Sequence, residues 1–203
     1  MSSPTPPTVT ALIVVDEQID FCEDGALAVP GGNAVCERTA AYLEAMWSSY
    51  KLVVATRDWH EDPGDHFSAD PDFVNSWPPH CVAGTPGAEL HPAIKRVLVE
   101  GLIDAVAVKG ASSAAYSAFE AEGVWGDSLG QLLQHDGVTE LHVVGLASDY
   151  CVKATVLDGL AAGYDVVVLA DLIAGVTDAG AAAAMEEMMA AGARVRVGMS
   201  VGA

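Results

Sequence analysis

The segment between residues 57 and 92 contains the densest group of side chains that could bind a metal. It includes RDWHEDPGDHFSADPDFVNSWPPHC, in which Asp58, His60, His66 and His80 follow one another within 23 residues. Imidazole and carboxylate groups are ligands for zinc, iron and manganese. Asp58 and His60 project to one side if the preceding strand extends to them, and the DPGD turn brings the chain back. The alternative is a set of surface or helix-capping histidines. The other histidines lack this context and are expected to be structural: His91, His135 and His142.

Cys151 is the candidate nucleophile. It stands in GLASDYCVKAT, directly after the apolar run LHVV and at the predicted start of a helix. A helix N-terminus favours a thiolate, and its free N–H groups can hold an oxyanion. The alternative is a buried, inert cysteine. The remaining cysteines are expected to be inert, although the first and third could line the same pocket: Cys22, Cys36 and Cys81.

Two charged residues at predicted strand ends could assist this thiol. Asp16 ends the run ALIVV, and Lys109 ends VAVK. A buried lysine needs an anion beside it, which Asp16 or a Cys151 thiolate could supply. Asp16 could also accept the thiol proton and pass it to a leaving group. The alternative is an ion pair without chemistry.

The elements that position these residues alternate between apolar runs and helical patterns. Helices are predicted over 33–49, 149–162 and 179–191, and strands over 11–15, 52–56, 105–108, 141–144, 165–170 and 193–197. Continuously apolar strands indicate burial on both faces, and their alternation with helices favours a parallel α/β sheet. Ligands bind beyond the carboxyl ends of such strands, where Asp16, Asp58 and Lys109 all fall.

Composition limits the function classes. The 203 residues are 51% hydrophobic and carry a formal net charge of −19, which disfavours nucleic acid and anionic membranes as partners, although the acidity could serve solubility alone. A neutral small molecule meets no such penalty.

We expect a flexible tail over 1–8 and a single domain over 9–203. Without a signal peptide pattern, an apolar span or a CxxC pair, the expected location is the cytoplasm. The chain could be a monomer or a homo-oligomer.

Five collinear blocks between about residues 9 and 196 carry a family resemblance. They are VDEQIDFC, ATRDWHEDPGDHFS, SWPPHCVAGTPGAELHP, VKGASSAAYSAFE and GLASDYCVKAT. Together they resemble the nicotinamidases (pyrazinamidases) of the isochorismatase-like hydrolases. The resemblance implies a three-layer α/β/α fold around a mostly parallel sheet of roughly six strands. It also implies hydrolysis of nicotinamide to nicotinate and ammonia through a cysteine thioester, in NAD salvage, and activity on pyrazinamide.

The same resemblance assigns roles by motif match. It implies a catalytic triad of Asp16, Lys109 and Cys151. It implies one divalent metal ion, iron, zinc or manganese, which would orient the pyridine nitrogen of the substrate. The implied metal ligands are Asp58, His60, His66 and His80. The implied aromatic pocket walls are Phe21, Trp77 and Tyr116. The implied oxyanion donors are the N–H groups of Ala147 and Cys151, with a cis peptide between Leu146 and Ala147.

Two positions depart from the family pattern. Ser148 stands where the family often has threonine, and Tyr150 stands where it often has histidine. Both bear on substrate preference rather than on the reaction. The alternatives are a related hydrolase of a carbamoyl, ureido or other small amide, a metalloamidase in which Cys151 is incidental, and a non-catalytic binding protein on the same fold. The intact set of candidate residues favours the nicotinamidase.

Overall fold

The computed structural model describes residues 7–123 and 126–198, so most of the tail expected over 1–8 lies outside the described residues. A single seven-stranded sheet forms its centre. The strands are β1 Thr10–Val15, β2 Leu52–Asp58, β3 Ala105–Lys109, β4 Glu122–Gly123, β5 Glu140–Leu146, β6 Asp165–Ala174 and β7 Arg194–Arg196. Their order is β4-β3-β2-β1-β5-β6-β7, and every pairing is parallel except that of β3 with β4.

Helices cover both faces of this sheet. They are α1 Gly32–Met46, α2 Pro92–Val99, α3 Leu129–His135, α4 Cys151–Ala161 and α5 Asp178–Ala190. Along β1, Leu12 and Val14 pack into the core on the face of α1 and α2, whereas Ile13 packs into the opposite core with α3, α4 and α5. The predicted three-layer α/β/α class and the burial of the strands on both faces are therefore confirmed. Within the described residues, none of the helices combines the length and apolar character needed to cross a bilayer.

The structure departs from the predicted elements mainly at short segments. The two-residue strand β4 was not predicted, which makes seven strands rather than six. Helices α2 and α3 were also missed, because eight and seven residues are too few for a clear apolar period. Their signals were local caps instead. The His91 side chain accepts from the N–H of Ala93, and Ser128 and Gln131 form a capping box.

The sheet order brings the candidate residues to one edge. Strands β3, β2, β1 and β5 are consecutive neighbours and all run in the same direction. Lys109 and Asp58 are direct cross-strand partners. Asp16 follows β1, and Ala147 follows β5. The carboxyl ends of four adjacent strands thus converge on one place, as expected for a parallel sheet.

Gly145 allows the closest approach between β1 and β5. Its φ is +115°, and a Cβ added there would lie 2.1 Å from the carbonyl oxygen of Val15. That oxygen belongs to backbone and cannot move aside without shifting β1. Only glycine therefore fits at this position, which lies beside both the Asp16 turn and the loop before α4.

We expect Gly145→Ala to lower the free energy of unfolding by about 3 kcal/mol or more, because it adds a backbone clash to a left-handed conformation. Gly137→Ala is the matched control. Its φ is +66°, but an added Cβ would meet nothing within 4 Å, so a loss of about 1 kcal/mol is expected. Urea unfolding measures both values. Equal losses in the two variants would show that the contact with Val15 is unimportant.

Candidate active site

The Lys109 ammonium group is the centre of the site. Its Nζ lies 2.9 Å from Asp16 Oδ2 and 2.5 Å from Asp58 Oδ1, and all three side chains are essentially inaccessible to solvent. Nζ also donates to the Ala115 carbonyl at 3.0 Å and to Cys151 Sγ at 3.7 Å. Burial alone would lower the pKa of Lys109, but the Asp16 and Asp58 carboxylates raise it well above its usual range. The lysine is therefore a fixed positive charge between two carboxylates and the thiol.

Asp16 is held by one neighbour and keeps one oxygen available. Thr56 Oγ1 donates to Asp16 Oδ1 at 2.8 Å and accepts from the Asp16 N–H at 3.3 Å. Asp16 Oδ2 is close to Lys109 but accepts no hydrogen bond from any described residue. Burial raises the pKa of Asp16, and the nearby Asp58 adds to this. Asp16 is thus well suited to accept a proton and return it. Thr56 was not predicted as a site residue, because it belongs to no distinctive motif.

Cys151 is the first residue of α4 and is 6% exposed. Its Sγ and the carboxylates of Asp16 and Asp58 form a group whose atoms all lie within 4.8 Å of one another. Burial raises the pKa of the Cys151 thiol well above its usual range, whereas Lys109 acts to lower it. The thiol is therefore protonated at rest, with a proton acceptor beside it and a cation that can stabilise the thiolate.

The loop before α4 has the features of an oxyanion site. The peptide bond between Leu146 and Ala147 is cis, as the resemblance implies. Among the described residues, the N–H groups of Ala147 and Cys151 donate to no backbone or side-chain acceptor. Two unused donors next to a thiol are the arrangement that stabilises a developing negative charge on oxygen.

The three loop histidines come together beside this group. One ring nitrogen from each of His60, His66 and His80 lies within 4.8 Å of those of the other two. His60 Nδ1 donates to the Gly110 carbonyl at 2.6 Å, and His80 Nδ1 donates to the Pro78 carbonyl at 2.8 Å. A carbonyl can only accept, so both Nδ1 atoms carry a proton, and the neutral imidazole with this tautomer has its lone pair on Nε2. Such carbonyl partners orient metal-binding histidines.

Further observations indicate that Asp58 and the three histidines can bind a divalent metal ion. The buried His60 Nε2 and His66 Nδ1 atoms have no hydrogen-bond partner among the described residues. His60 Nε2 faces Asp58 Oδ2 at 3.7 Å, which is too long for a hydrogen bond. Two acceptors that face each other need a cation between them. Burial lowers the pKa of His66 to about 4, so this ring is neutral and able to coordinate.

Gln18 fixes the position of Asp58. Its Nε2 donates to the carbonyls of Asp58 and Ala88 at 2.8 and 2.9 Å, and its Oε1 accepts from the Asp58 N–H at 2.7 Å. Lys109 lowers the pKa of Asp58 below its usual range against the opposing effect of burial, and His60 contributes in the same direction. Asp58 is therefore a permanent anion that contacts both the lysine and the histidines. Gln18 lies within the VDEQIDF motif, but no role was predicted for it.

A pocket opens onto these groups. It encloses about 410 Å³ of empty space, including its mouth, and its lining contains Cys151, Asp58, His66, His80 and Ala147. The three expected aromatic residues also line it: Phe21, Trp77 and Tyr116. Trp77 Nε1 donates to the Tyr116 hydroxyl at 3.1 Å. The size and the aromatic walls suit a small planar ligand.

Tyr150 adds a fourth aromatic residue to the lining. Its ring makes an edge contact with Trp77 at a centroid distance of 4.9 Å and stacks against Tyr116 at 6.3 Å. Its hydroxyl donates to the Phe73 carbonyl at 3.3 Å. From the sequence Tyr150 was only a departure from the family pattern, whereas in the structure it is part of the pocket lining.

The other histidines and cysteines lie outside this lining. His91 caps α2, His142 bonds to Tyr50 and Glu140, and the His135 side chain is 87% exposed. The suggestion that Cys22 and Cys81 line the pocket is wrong. Both are buried in the core cluster on the α1 and α2 face of the sheet and do not belong to the pocket lining.

A mostly parallel α/β sheet with a thiol, a lysine and a carboxylate at its carboxyl edge defines an α/β protein with the groups of a hydrolase site. A model of the isochorismatase domain matches residues 10–197. The chain therefore belongs to the isochorismatase domain family.

Individual relatives agree with this assignment. The chain is 50% identical over 181 residues to a nicotinamidase/pyrazinamidase of Mycobacterium tuberculosis, covering 89% of this chain and 95% of that protein. Among solved structures, PnC1 from L. infantum in complex with nicotinate superposes with a TM-score of 0.78 at 36% identity, over 94% and 93% of the two chains. The pyrazinamidase of Pyrococcus horikoshii in complex with zinc superposes at 0.76 and 34%, over 93% and 98%.

Replacing Asp16 tests the electrostatics of the thiol. In Asp16→Asn the carboxylate that raises the pKa of Cys151 is gone while Lys109 remains, so the pKa should fall. We expect alkylation of Cys151 by iodoacetamide at pH 7 to become at least about tenfold faster, since one pKa unit changes the thiolate fraction tenfold. Peptide mass spectrometry measures the rate at this cysteine.

Asp62→Asn, which removes an exposed carboxylate from the metal-binding loop, is the matched control and should leave the rate unchanged. Slower alkylation in Asp16→Asn would contradict this description, because it would mean that the carboxylate promotes thiolate formation at rest.

Proposed function

We propose that this protein is a nicotinamidase that hydrolyses nicotinamide to nicotinate and ammonia, and that it also accepts pyrazinamide. The observation that carries the proposal is the arrangement around one pocket. Cys151, which Lys109 contacts, lines the same small aromatic-walled cavity as His66 and His80 of the histidine cluster. A small ring with a carboxamide on one side and a basic nitrogen on the other matches both parts of the site. The carboxamide can react with the thiol, and the ring nitrogen can bind a metal ion held by the histidines.

The aromatic walls would hold the ring, and the orientation of the ring follows from the polar groups. The carboxamide faces Cys151, with its oxygen towards the N–H groups of Ala147 and Cys151. The ring nitrogen faces the histidines. The net negative charge of the chain does not oppose entry, because the substrate is neutral.

The residues that would hold the metal are Asp58, His60, His66 and His80. A bound divalent ion would supply a Lewis-acid partner for the pyridine nitrogen of the substrate and so fix the ring. Zinc, iron and manganese all suit a set of three imidazoles and one carboxylate, and the zinc complex of the Pyrococcus horikoshii relative supports zinc.

In the first half of the reaction Asp16 Oδ2 accepts the thiol proton, and Lys109 stabilises the thiolate that forms. Cys151 Sγ attacks the carboxamide carbon, and the N–H groups of Ala147 and Cys151 hold the resulting oxyanion. Asp16 then passes its proton to the amide nitrogen. The carbon–nitrogen bond breaks, ammonia leaves, and an acyl thioester on Cys151 remains.

In the second half a water molecule takes the place of ammonia. Asp16, again ionised, accepts a proton from this water as its oxygen attacks the thioester carbonyl. The carbon–sulfur bond breaks, the thiolate regains a proton from Asp16, and the carboxylic acid departs. Asp16 can serve both halves because burial raises its pKa while Thr56 holds its other oxygen.

This reaction suits the salvage of NAD, since nicotinamide is recovered as nicotinate. We expect the enzyme to work in the cytoplasm. Cys22, Cys36, Cys81 and Cys151 are all free thiols, which supports a reducing compartment.

The function is tested by ammonia release from a matched pair of substrates. The reduced protein, supplied with zinc, should release ammonia from nicotinamide at least about 100-fold faster, as kcat/KM, than from benzamide, which has the same size without the ring nitrogen. A site built for that nitrogen leaves a polar partner unsatisfied when the nitrogen is missing.

Cys151→Ala separates the roles of thiol and metal in the same assay. It should abolish ammonia release and leave the metal content unchanged. Absence of release from nicotinamide by the metal-supplied wild-type protein would refute the proposed function. Substantial activity in Cys151→Ala would instead favour a mechanism without a thioester.

A further inference from the structure

Two tyrosines form the aromatic side of the pocket mouth. Most residues that line the pocket are buried, and the half-buried ones mark where it opens: Leu27, Tyr116, Tyr150 and Val176. A second depression, which we call the outer groove, encloses about 730 Å³ of space, including its open side. Tyr116 and Tyr150 belong to its lining as well. The two rings therefore form the wall that separates the pocket from the outer groove.

The Tyr150 ring is held in this wall by three contacts. It makes an edge contact with Trp77, stacks against Tyr116 and donates its hydroxyl hydrogen bond to the Phe73 carbonyl. Its backbone is fixed at the start of α4, where the Tyr150 N–H donates to the Ala147 carbonyl at 3.0 Å. The ring cannot turn aside for a bulky ligand without losing these contacts.

The acceptor of the Tyr150 hydroxyl belongs to a preformed turn over residues 72–76. Asp72 Oδ1 accepts from the N–H groups of Val74, Asn75 and Ser76 at 2.9, 2.7 and 2.9 Å. A carboxylate that caps three successive N–H groups fixes the backbone of the turn. The position of the Phe73 carbonyl is therefore set before any ligand enters the pocket.

The substrate orientation proposed above determines which edge of the ring faces the wall. The carboxamide faces Cys151 and the ring nitrogen faces the histidines. Asp58 lines the pocket between these groups, because it bonds to Lys109 beside the thiol and faces His60. The C2 atom of nicotinamide, between the nitrogen and the carbon that bears the carboxamide, therefore points towards Asp58. C5 lies opposite C2 in the ring and points away from this buried side, towards the mouth.

The outer groove suits a neutral, apolar group. Three small or apolar residues contribute to its lining: Val74, Ala114 and Ala154. Two charged residues of the lining already have partners. Lys153 pairs with Glu187 at 3.1 Å, and Asp149 accepts from the Val176 N–H at 3.0 Å. An aryl group would meet aromatic and aliphatic surface there without displacing a charge from its partner.

We propose, on the basis of the proposed function, that Tyr150 is a specificity-determining residue that excludes nicotinamides substituted at C5. A substituent at C5 extends through the mouth and meets the Tyr150 ring. If that ring is removed, the mouth and the outer groove become one continuous cleft, and an aryl substituent can occupy the groove. The enzyme is then limited to small rings by one side chain rather than by the shape of the whole pocket.

Binding to zinc-loaded Cys151→Ala protein tests this without turnover. Calorimetry compares nicotinamide with 5-phenylnicotinamide, which keeps both the carboxamide and the ring nitrogen. The Kd of 5-phenylnicotinamide should be at least about 100-fold higher than that of nicotinamide, because the added ring overlaps Tyr150. Adding Tyr150→Ala should lower this ratio of the two Kd values at least about tenfold.

Two matched variants in the same background separate the ring from other effects. Tyr150→Phe loses the hydrogen bond to Phe73 but keeps the ring, so the ratio should stay within about threefold of the parent value. Leu27→Ala removes a side chain of the mouth that is outside the described lining of the outer groove. It should also leave the ratio within about threefold.

Three results would overturn the assignment of Tyr150 alone. They are a similar Kd for the two amides in the parent protein, an unchanged ratio in Tyr150→Ala, and an equal fall of the ratio in Leu27→Ala. Absence of nicotinamide binding by the zinc-loaded parent would instead count against the proposed function itself, and the role of Tyr150 would be refuted with it.

Discussion

The buried ammonium group of Lys109 is the interaction on which the site depends. It lies between Asp16 and Asp58 with no exposure to solvent, so none of the three charges is tolerable without the others. Removing one partner of such a buried pair typically costs about 3–5 kcal/mol. The ends of β1, β2 and β3 must therefore meet in one register, which also sets the distance from the lysine to the thiol at the start of α4.

The two carboxylates that share this lysine differ in proton affinity. The pKa of Asp16 is raised by burial, whereas Lys109 and His60 keep the pKa of Asp58 low despite equal burial. This difference in pKa gives the two carboxylates different roles. Asp58 stays ionised between the lysine and the histidines, and Asp16 can take up and return a proton. The Lys109 ammonium group thus connects the proposed nucleophile to the proposed metal ligands. In active sites, two acidic groups with different roles commonly have environments that move their pKa values apart.

Much of this arrangement could be predicted from residue order. Apolar runs that end in Asp16, Asp58 and Lys109 indicated strand ends of a parallel sheet, and that class is confirmed. The contact of Lys109 with Asp58 was not foreseen, because it depends on β2 and β3 being neighbours in the register that pairs these residues. The supports from Thr56 and Gln18 were missed for a similar reason. Each bonds a residue 40 positions away, and no local pattern encodes that distance.

The claim that Cys151 carries the acyl group is tested most directly by trapping it. Enzyme mixed with excess nicotinamide and quenched in acid within the first turnovers should gain the mass of one nicotinoyl group. Peptide mapping should assign that group to Cys151, and hydroxylamine should remove it as expected for a thioester. An adduct on another residue, or rapid turnover without any adduct and without incorporation of hydroxylamine into the product, would contradict a thioester on Cys151.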